Sequence, residues 1–210
     1  MVHGRLLVAP LLAVSVAAGP TRAGQAEVFR LDGSSQVVIH VGKAGVFGFA
    51  GHDHEIAAPV TGTVTVDRAD LTRSRVALAF ESGALKVTGR GEPAGDVPEV
   101  QRVMLSDRVL DADRYPRIAF TSRRVSSGGQ AGRALKLSIE GDLELHGVTR
   151  PCLVTALVTL VEDTLTAEGK AEVKQSDFGI EPVTAAGGTV RVKDTVEVTF
   201  EIRATRSSAG

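Results

Sequence analysis

Gly51-His52-Asp53-His54-Glu55 is the passage of this chain with the most obvious chemical potential, and it follows the glycine-rich run Phe47-Gly48-Phe49-Ala50. In an extended strand successive side chains alternate, so His52 and His54 would share one face with Asp53 on the other. Two imidazoles on a shared face could hold zinc or another borderline divalent metal, with His40 or His146 completing the set if the fold brings one near. An open coordination position would then permit hydrolysis by a metal-bound water. Two ligands fall short of the usual three or four, however. The same residues suit two other tasks. They could anchor a turn through hydrogen bonds to backbone carbonyls, or sit at the mouth of an apolar pocket and hold the polar head of a ligand.

Other familiar arrangements are missing from the sequence. It contains no G-x-S-x-G nucleophile elbow, no G-x-x-x-x-G-K-[ST] phosphate loop and no H-E-x-x-H zinc helix. His146 reads as a turn residue rather than a ligand. Asp177, in Ser176-Asp177-Phe178-Gly179, reads as a turn cap with Phe178 packed inward.

The elements that must position these residues are strands. Val196, Val198, Phe200 and Ile202 alternate with Thr195, Glu197, Thr199, Glu201 and Arg203, the period of a half-buried strand. Leu135, Leu137 and Ile139 form a second such row, continued by Leu143 and Leu145 beyond Gly141. Val64 and Val66 form a third, and Val76, Leu78 and Phe80 a fourth. Further strands fit 27–31, 36–41, 118–125, 152–161 and 165–174. Turn signals stand at Asp32-Gly33, Ser126-Ser127-Gly128-Gly129 and Ala186-Gly187-Gly188. Many antiparallel strands with short connections predict an all-β closed barrel or a sandwich. One segment breaks the pattern: Asp96 as N-cap, Glu99 at the capping-box position, and Val97, Val100 and Met104 at helical spacing predict one short helix ending before Tyr115-Pro116.

Arg5, the apolar run from Leu6 to Ala18 and the small residues ending at Ala23 read as a secretory signal peptide, residues 1–23. The run is shorter than the ~20 residues a transmembrane anchor requires. Residues 24–210 then form one β domain, exported to the periplasm or secreted. With 24 Lys+Arg against 25 Asp+Glu, the chain has no general basicity with which to bind nucleic acid. Its one cysteine excludes an intrachain disulfide framework and any Cys-rich metal site. In an oxidising compartment Cys152 must be buried or pair between molecules. Aromatic residues make up only 4% of the chain, so its apolar interior must be largely Val, Leu, Ile and Ala.

Several phrases carry a family resemblance in combination. Residues 104–122 (MLSDRVLDADRYPRIAFTS), 141–151 (GDLELHGVTRP), 175–180 (QSDFGI) and FRLD at 29–32 resemble, in order and spacing, the segments of the YceI-like family of exported lipocalin-like proteins. The match spans about residues 27–205, and the histidine passage resembles a GHDH-type variant within that family. The chain departs from the family pattern at Ser35-Gln36, Gln175 and Val109-Leu110.

The resemblance implies a lipocalin-like antiparallel barrel of about eight strands with one short helix, closed around an elongated apolar cavity. It also implies a non-enzymatic carrier whose ligand is a polyisoprenoid, such as a quinone-like molecule or a prenyl-phosphate lipid. A homodimer would be unsurprising in this family. The residues expected to touch such a ligand are Phe47, Phe49, His52, His54, Leu78, Phe80, Phe120, Leu137, Ile139, Phe178, Val198 and Phe200. The alternative is a metal-binding protein or metal-dependent hydrolase built on His52 and His54.

Overall fold

The computed structural model describes residues 26–44, 53–185 and 190–207. The proposed leader, Phe47, Phe49, His52 and the Ala186-Gly187-Gly188 turn lie outside the described residues. In chain order the strands are β1 (Glu27–Leu31), β2 (Gln36–Val41), β3 (Lys43–Ala44), β4 (His54–Ala57), β5 (Thr61–Val66), β6 (Arg75–Glu81), β7 (Lys86–Val87), β8 (Arg117–Ala131), β9 (Ala134–Leu145), β10 (Val148–Val161), β11 (Thr164–Lys174), β12 (Thr184–Ala185), β13 (Val190–Val192) and β14 (Thr195–Arg206), with helix α1 (Val97–Leu105) between β7 and β8.

Eight of these strands close a ring in the order β1–β5–β6–β8–β9–β10–β11–β14, with β14 returning to pair with β1. Every ladder in the ring is antiparallel, and β8–β9, β9–β10 and β10–β11 are joined by tight reversals. The remaining longer-range pairings extend the same wall. β14 pairs with β1 through Ala204–Arg206 and with β2 through Glu197–Glu201, so β1 and β2 act as one strand interrupted at residues 32–35. In the same way β4 continues β5, and β7 continues β6. Asp32 holds the first interruption: its carboxylate accepts from the Ser34 N–H at 2.9 Å and from the Ser34 hydroxyl at 2.6 Å.

The period-two rows of the sequence become the barrel's inner face. Val196, Val198, Phe200 and Ile202 of β14 all face the interior, as do Leu135, Leu137, Ile139, Leu143 and Leu145 of β9. In β8 the alternation is carried across a bulge. The register shifts between Ser122 and Arg124, which returns Val125 to the inside after Ile118 and Phe120. Buried Ser122 is satisfied there by accepting the Val76 N–H at 2.8 Å.

Two expected details differ. Ser126–Gly129 is not a turn but the bulged continuation of β8, with a second register shift between Ser127 and Gln130; the chain reverses instead at Gly132, whose φ is +62°. The capping box at the helix start is also absent. Asp96 adopts helical dihedrals and makes no side-chain cap bond. The helix is held from its flank instead: the Gln101 amide donates to the Leu85 carbonyl at 3.0 Å and accepts from the Val87 N–H at 2.8 Å. Those bonds satisfy the outer edge of short β7 and lay α1 across it, with Met104 buried and Val97 and Val100 packed against the same cluster.

One end of the barrel is plugged. Phe29 and Ala204 are fully buried and pack with Val66 and Leu165. The adjoining loop is tied by buried Asp67, which accepts from the Ala69 and Asp70 N–H groups at 3.0 and 3.1 Å and meets Arg73 at 3.3 Å.

Candidate functional site

Between the plug and the opposite end lies a cavity of about 600 Å³. That size falls within the ~300–1,000 Å³ of small-molecule sites. Its wall is almost wholly hydrocarbon. Ala156, Val158 and Leu160 come from β10, Leu165, Ala167 and Val173 from β11, and Val37, Ile39 and Val41 from β2. Helix α1 closes one side with Val100, Val103 and Met104. Phe80, Phe120 and Phe200 are the aromatic residues among the described lining. The expected aliphatic lining is therefore present, and it surrounds a void rather than a filled core.

Glycines shape this wall at two points. A Cβ on Gly141 would stand 2.6 Å from the Phe120 ring and 2.6 Å from the Thr121 carbonyl oxygen. A Cβ on Gly169 would stand 2.7 Å from the Phe200 ring, with the Thr155 carbonyl oxygen also in its way. Each missing side chain leaves room for a neighbouring strand's phenyl ring to lie against the sheet.

Of the residues expected to touch a ligand, His54, Leu78, Phe80, Phe120, Leu137, Ile139, Val198 and Phe200 all line this cavity. Phe178 does not. It is buried beside the wall with Val173, Ile180 and Val196, on a 3₁₀ turn over Gln175–Phe178. That turn is capped by Asp194 rather than Asp177: the Asp194 carboxylate accepts the Ser176 N–H at 2.8 Å and its hydroxyl at 2.7 Å. Phe47, Phe49 and His52 fall outside the described residues.

The polar lining residues Lys43, His54, Gln175, Thr184 and Arg191 cluster near the end opposite the plug. His54 opens β4 opposite Val41, while Leu71 and Ser74 line the far end beyond β5. Its inward position follows from strand parity, since Ile56 and Ala58 face the same way. Asp53 points its carboxylate to the Lys43 N–H at 2.9 Å. The loop after β7 folds back along β4. Thr88 donates its N–H to the Glu55 carbonyl at 2.9 Å and its hydroxyl to the Glu55 carboxylate at 3.0 Å, and Arg90 meets that carboxylate at 3.4 Å.

This fold-back places Glu92 beneath His54. The Glu92 side chain is 1% exposed, and its Oε1 lies 3.2 Å from His54 Nδ1. Neither carboxylate oxygen, nor that ring nitrogen, has a hydrogen-bond partner. Glu92 was not among the expected residues; Arg90-Gly91-Glu92-Pro93 reads locally as a solvated turn.

The two other described histidines are engaged elsewhere. His40 Nε2 lies 3.0 Å from the Thr199 hydroxyl. His146 has a positive φ of 52°, sits against the Tyr115 ring at 4.6 Å and has Nδ1 3.2 Å from the Phe178 carbonyl, the turn role expected of it. Among the described residues no three His, Cys, Asp or Glu side chains come together as a metal site. Cys152 is half-buried and lines the cavity, where burial pushes its thiol above the ordinary value.

No helix among the described residues is long and apolar enough to cross a membrane. Solved structures share this fold at low identity. Burkholderia cenocepacia BcnA is 19% identical with a TM-score of 0.65, covering 83% of this chain and 99% of its own. A polyisoprenoid binding domain from Saccharophagus degradans, implicated in plant cell wall breakdown, is 12% identical with a TM-score of 0.61, covering 87% and 99%. The Campylobacter jejuni YceI protein is 15% identical with a TM-score of 0.53, covering 71% and 82%. No curated protein matches the chain. The YceI-like domain matches residues 29–204, through every strand of the closed barrel, and the chain belongs to that family.

Proposed function

We propose that this protein is an exported binding or carrier protein that holds a long amphiphilic isoprenoid lipid in its barrel, and that it works without catalysing a reaction. The observation that carries the reading is the cavity: about 600 Å³ walled by Val, Leu, Ile, Ala and three phenyl rings, with its polar lining gathered largely at one end. Such a wall offers a hydrocarbon chain burial at roughly 25 cal/mol per Å² and offers a polar ligand little. Leu78, Phe80, Phe120, Leu137, Ile139, Val198 and Phe200 contact the chain, and His54 stands where its head emerges. The polyisoprenoid binding named for the Saccharophagus structure supports the same class of ligand.

The leader-like residues 1–23 support a periplasmic or secreted location. Native mass spectrometry of protein purified from its own host, followed by organic extraction, tests the reading. The expected result is one stoichiometric prenyl-chain lipid per barrel. Recovery of ligand-free protein that also fails to take up a prenyl lipid overturns it.

A further inference from the structure

Three of the four buried side-chain polar atoms that lack a hydrogen-bond partner among the described residues belong to one pair of side chains. They are His54 Nδ1 and both carboxylate oxygens of Glu92, with Nδ1 3.2 Å from Oε1. A folded interior seldom leaves such groups unanswered, and a carboxylate enclosed without a donor is costly. The chain is built to bring them together. Thr88 extends the β4–β7 ladder by bonding the Glu55 carbonyl, and Gly89 and Gly91, with φ of +77° and +80°, then turn Glu92 back beneath His54. Nearby groups do not supply the missing partner. Lys43 lines the neighbouring cavity mouth, yet it makes no hydrogen bond to either Glu92 oxygen, and Arg90 is engaged with Glu55. Asp53 turns to the Lys43 N–H, and His40 turns to Thr199.

Nδ1 and Oε1 are close enough for a hydrogen bond but lack its alignment. Buried atoms that approach without pointing at each other fit two ligands pointing at a common third position. Zinc holds imidazole nitrogen at about 2.0–2.1 Å and carboxylate oxygen at about 2.0–2.2 Å, so neighbouring ligands stand about 3–3.4 Å apart. We propose that His54 Nδ1 and the Glu92 carboxylate bind a divalent cation of the zinc class, which clips the loop after β7 to the start of β4. Two side chains supply three donor atoms, and water completes the coordination. The imidazole selects zinc or a similar borderline ion over magnesium and calcium, which take oxygen ligands. The cation answers all three stranded atoms at once. Its site stands apart from the lipid-binding reading and needs no ligand in the barrel.

The test titrates zinc calorimetrically into the chelator-treated, untagged protein and follows thermal unfolding with and without the metal. One zinc should bind per chain and raise Tm, while magnesium at the same concentration should not. His54→Gln and Glu92→Gln should each weaken zinc binding by about tenfold or more. His40→Gln and His146→Gln should leave it within about twofold, since neither ring reaches the site. A second measurement separates a cation site from a plain ion pair. Without metal, Glu92→Gln should raise Tm, because a neutral amide is less costly to enclose than an unanswered carboxylate; with zinc it should lower Tm relative to the unaltered protein. Absence of stoichiometric zinc binding overturns the proposal, as does zinc binding that survives both His54→Gln and Glu92→Gln. A metal-free Glu92→Gln protein that melts below the unaltered one also overturns it, because His54 alone would then satisfy the carboxylate.

Discussion

Phe200 lies over Gly169. Its ring occupies the space that a side chain at residue 169 would fill, 2.7 Å from the position of a Cβ there, while the Thr155 carbonyl oxygen closes the other side. The two residues face each other across the β11–β14 ladder, and Phe200 is also a wall residue of the cavity. Gly169→Ala must therefore push backbone or ring aside. Overpacking of this kind costs about 1–3 kcal/mol. Denaturant unfolding should show that loss, and a displaced Phe200 ring should weaken binding of a prenyl tail as well. Unchanged stability would show that the strand shifts freely at this point.

Cys152 provides an internal reporter of the cavity. It lines the wall from β10, and burial raises its thiol above the ordinary value, so little reactive thiolate forms near neutral pH. Alkylation by iodoacetamide should be much slower in the folded protein than in denaturant. A bound prenyl chain should slow it further, by about tenfold when the cavity is nearly saturated. An identical folded-state rate with and without the lipid would place the tail elsewhere.

The barrel was legible in the sequence because one face of each strand is buried, and burial enforces the alternation. Val196, Val198, Phe200 and Ile202 are read as one face and form one. Features set by contacts distant in sequence were not legible. Ser126–Gly129 has the composition of a turn, yet pairing with β9 draws it into a bulged strand. Asp96 and Glu99 have the spacing of a capping box, but Gln101 binding the edge of β7 positions the helix, and the carboxylate of Glu99 turns to Arg102.

Glu92 shows the same limit at the site itself. Its local sequence signals exposure, and only the bonds between its loop and Glu55 bring it under His54. His54, by contrast, is named from sequence as a residue that could hold a ligand's polar head at a pocket mouth, and the structure sets it in phase with Ile56 on the cavity wall.

Filling the void should separate binding from folding. Ala167 lines the cavity on β11, opposite Ile202 in the ladder, and its small side chain leaves space in front of it. Ala167→Phe projects a ring into the void, where it meets fewer packed atoms than it would in a dense core. Thermal unfolding should shift by only a few degrees, corresponding to about 1 kcal/mol. Affinity for a farnesyl-tailed probe should fall at least about tenfold, because lost tail burial is worth ~0.8 kcal/mol per methylene. Full retention of affinity would show that the tail does not occupy this part of the barrel.

Asp194 should set part of the acid stability of the mouth region. Hydrogen bonds from the Ser176 hydroxyl, and then from its backbone N–H, hold the Asp194 carboxyl below the ordinary aspartate value. The unfolded chain titrates this group at about 3.9. Because the folded value is the lower one, the ionised cap stabilises the fold fully above that pH and ceases to do so as pH falls through the folded value. Asp194→Asn removes the charge and should lower Tm at pH 7. The gap between the two proteins should narrow steadily below about pH 4. A gap that stays constant down to pH 2 would mean that the asparagine costs stability through packing around Ser176 rather than through loss of the charged acceptor.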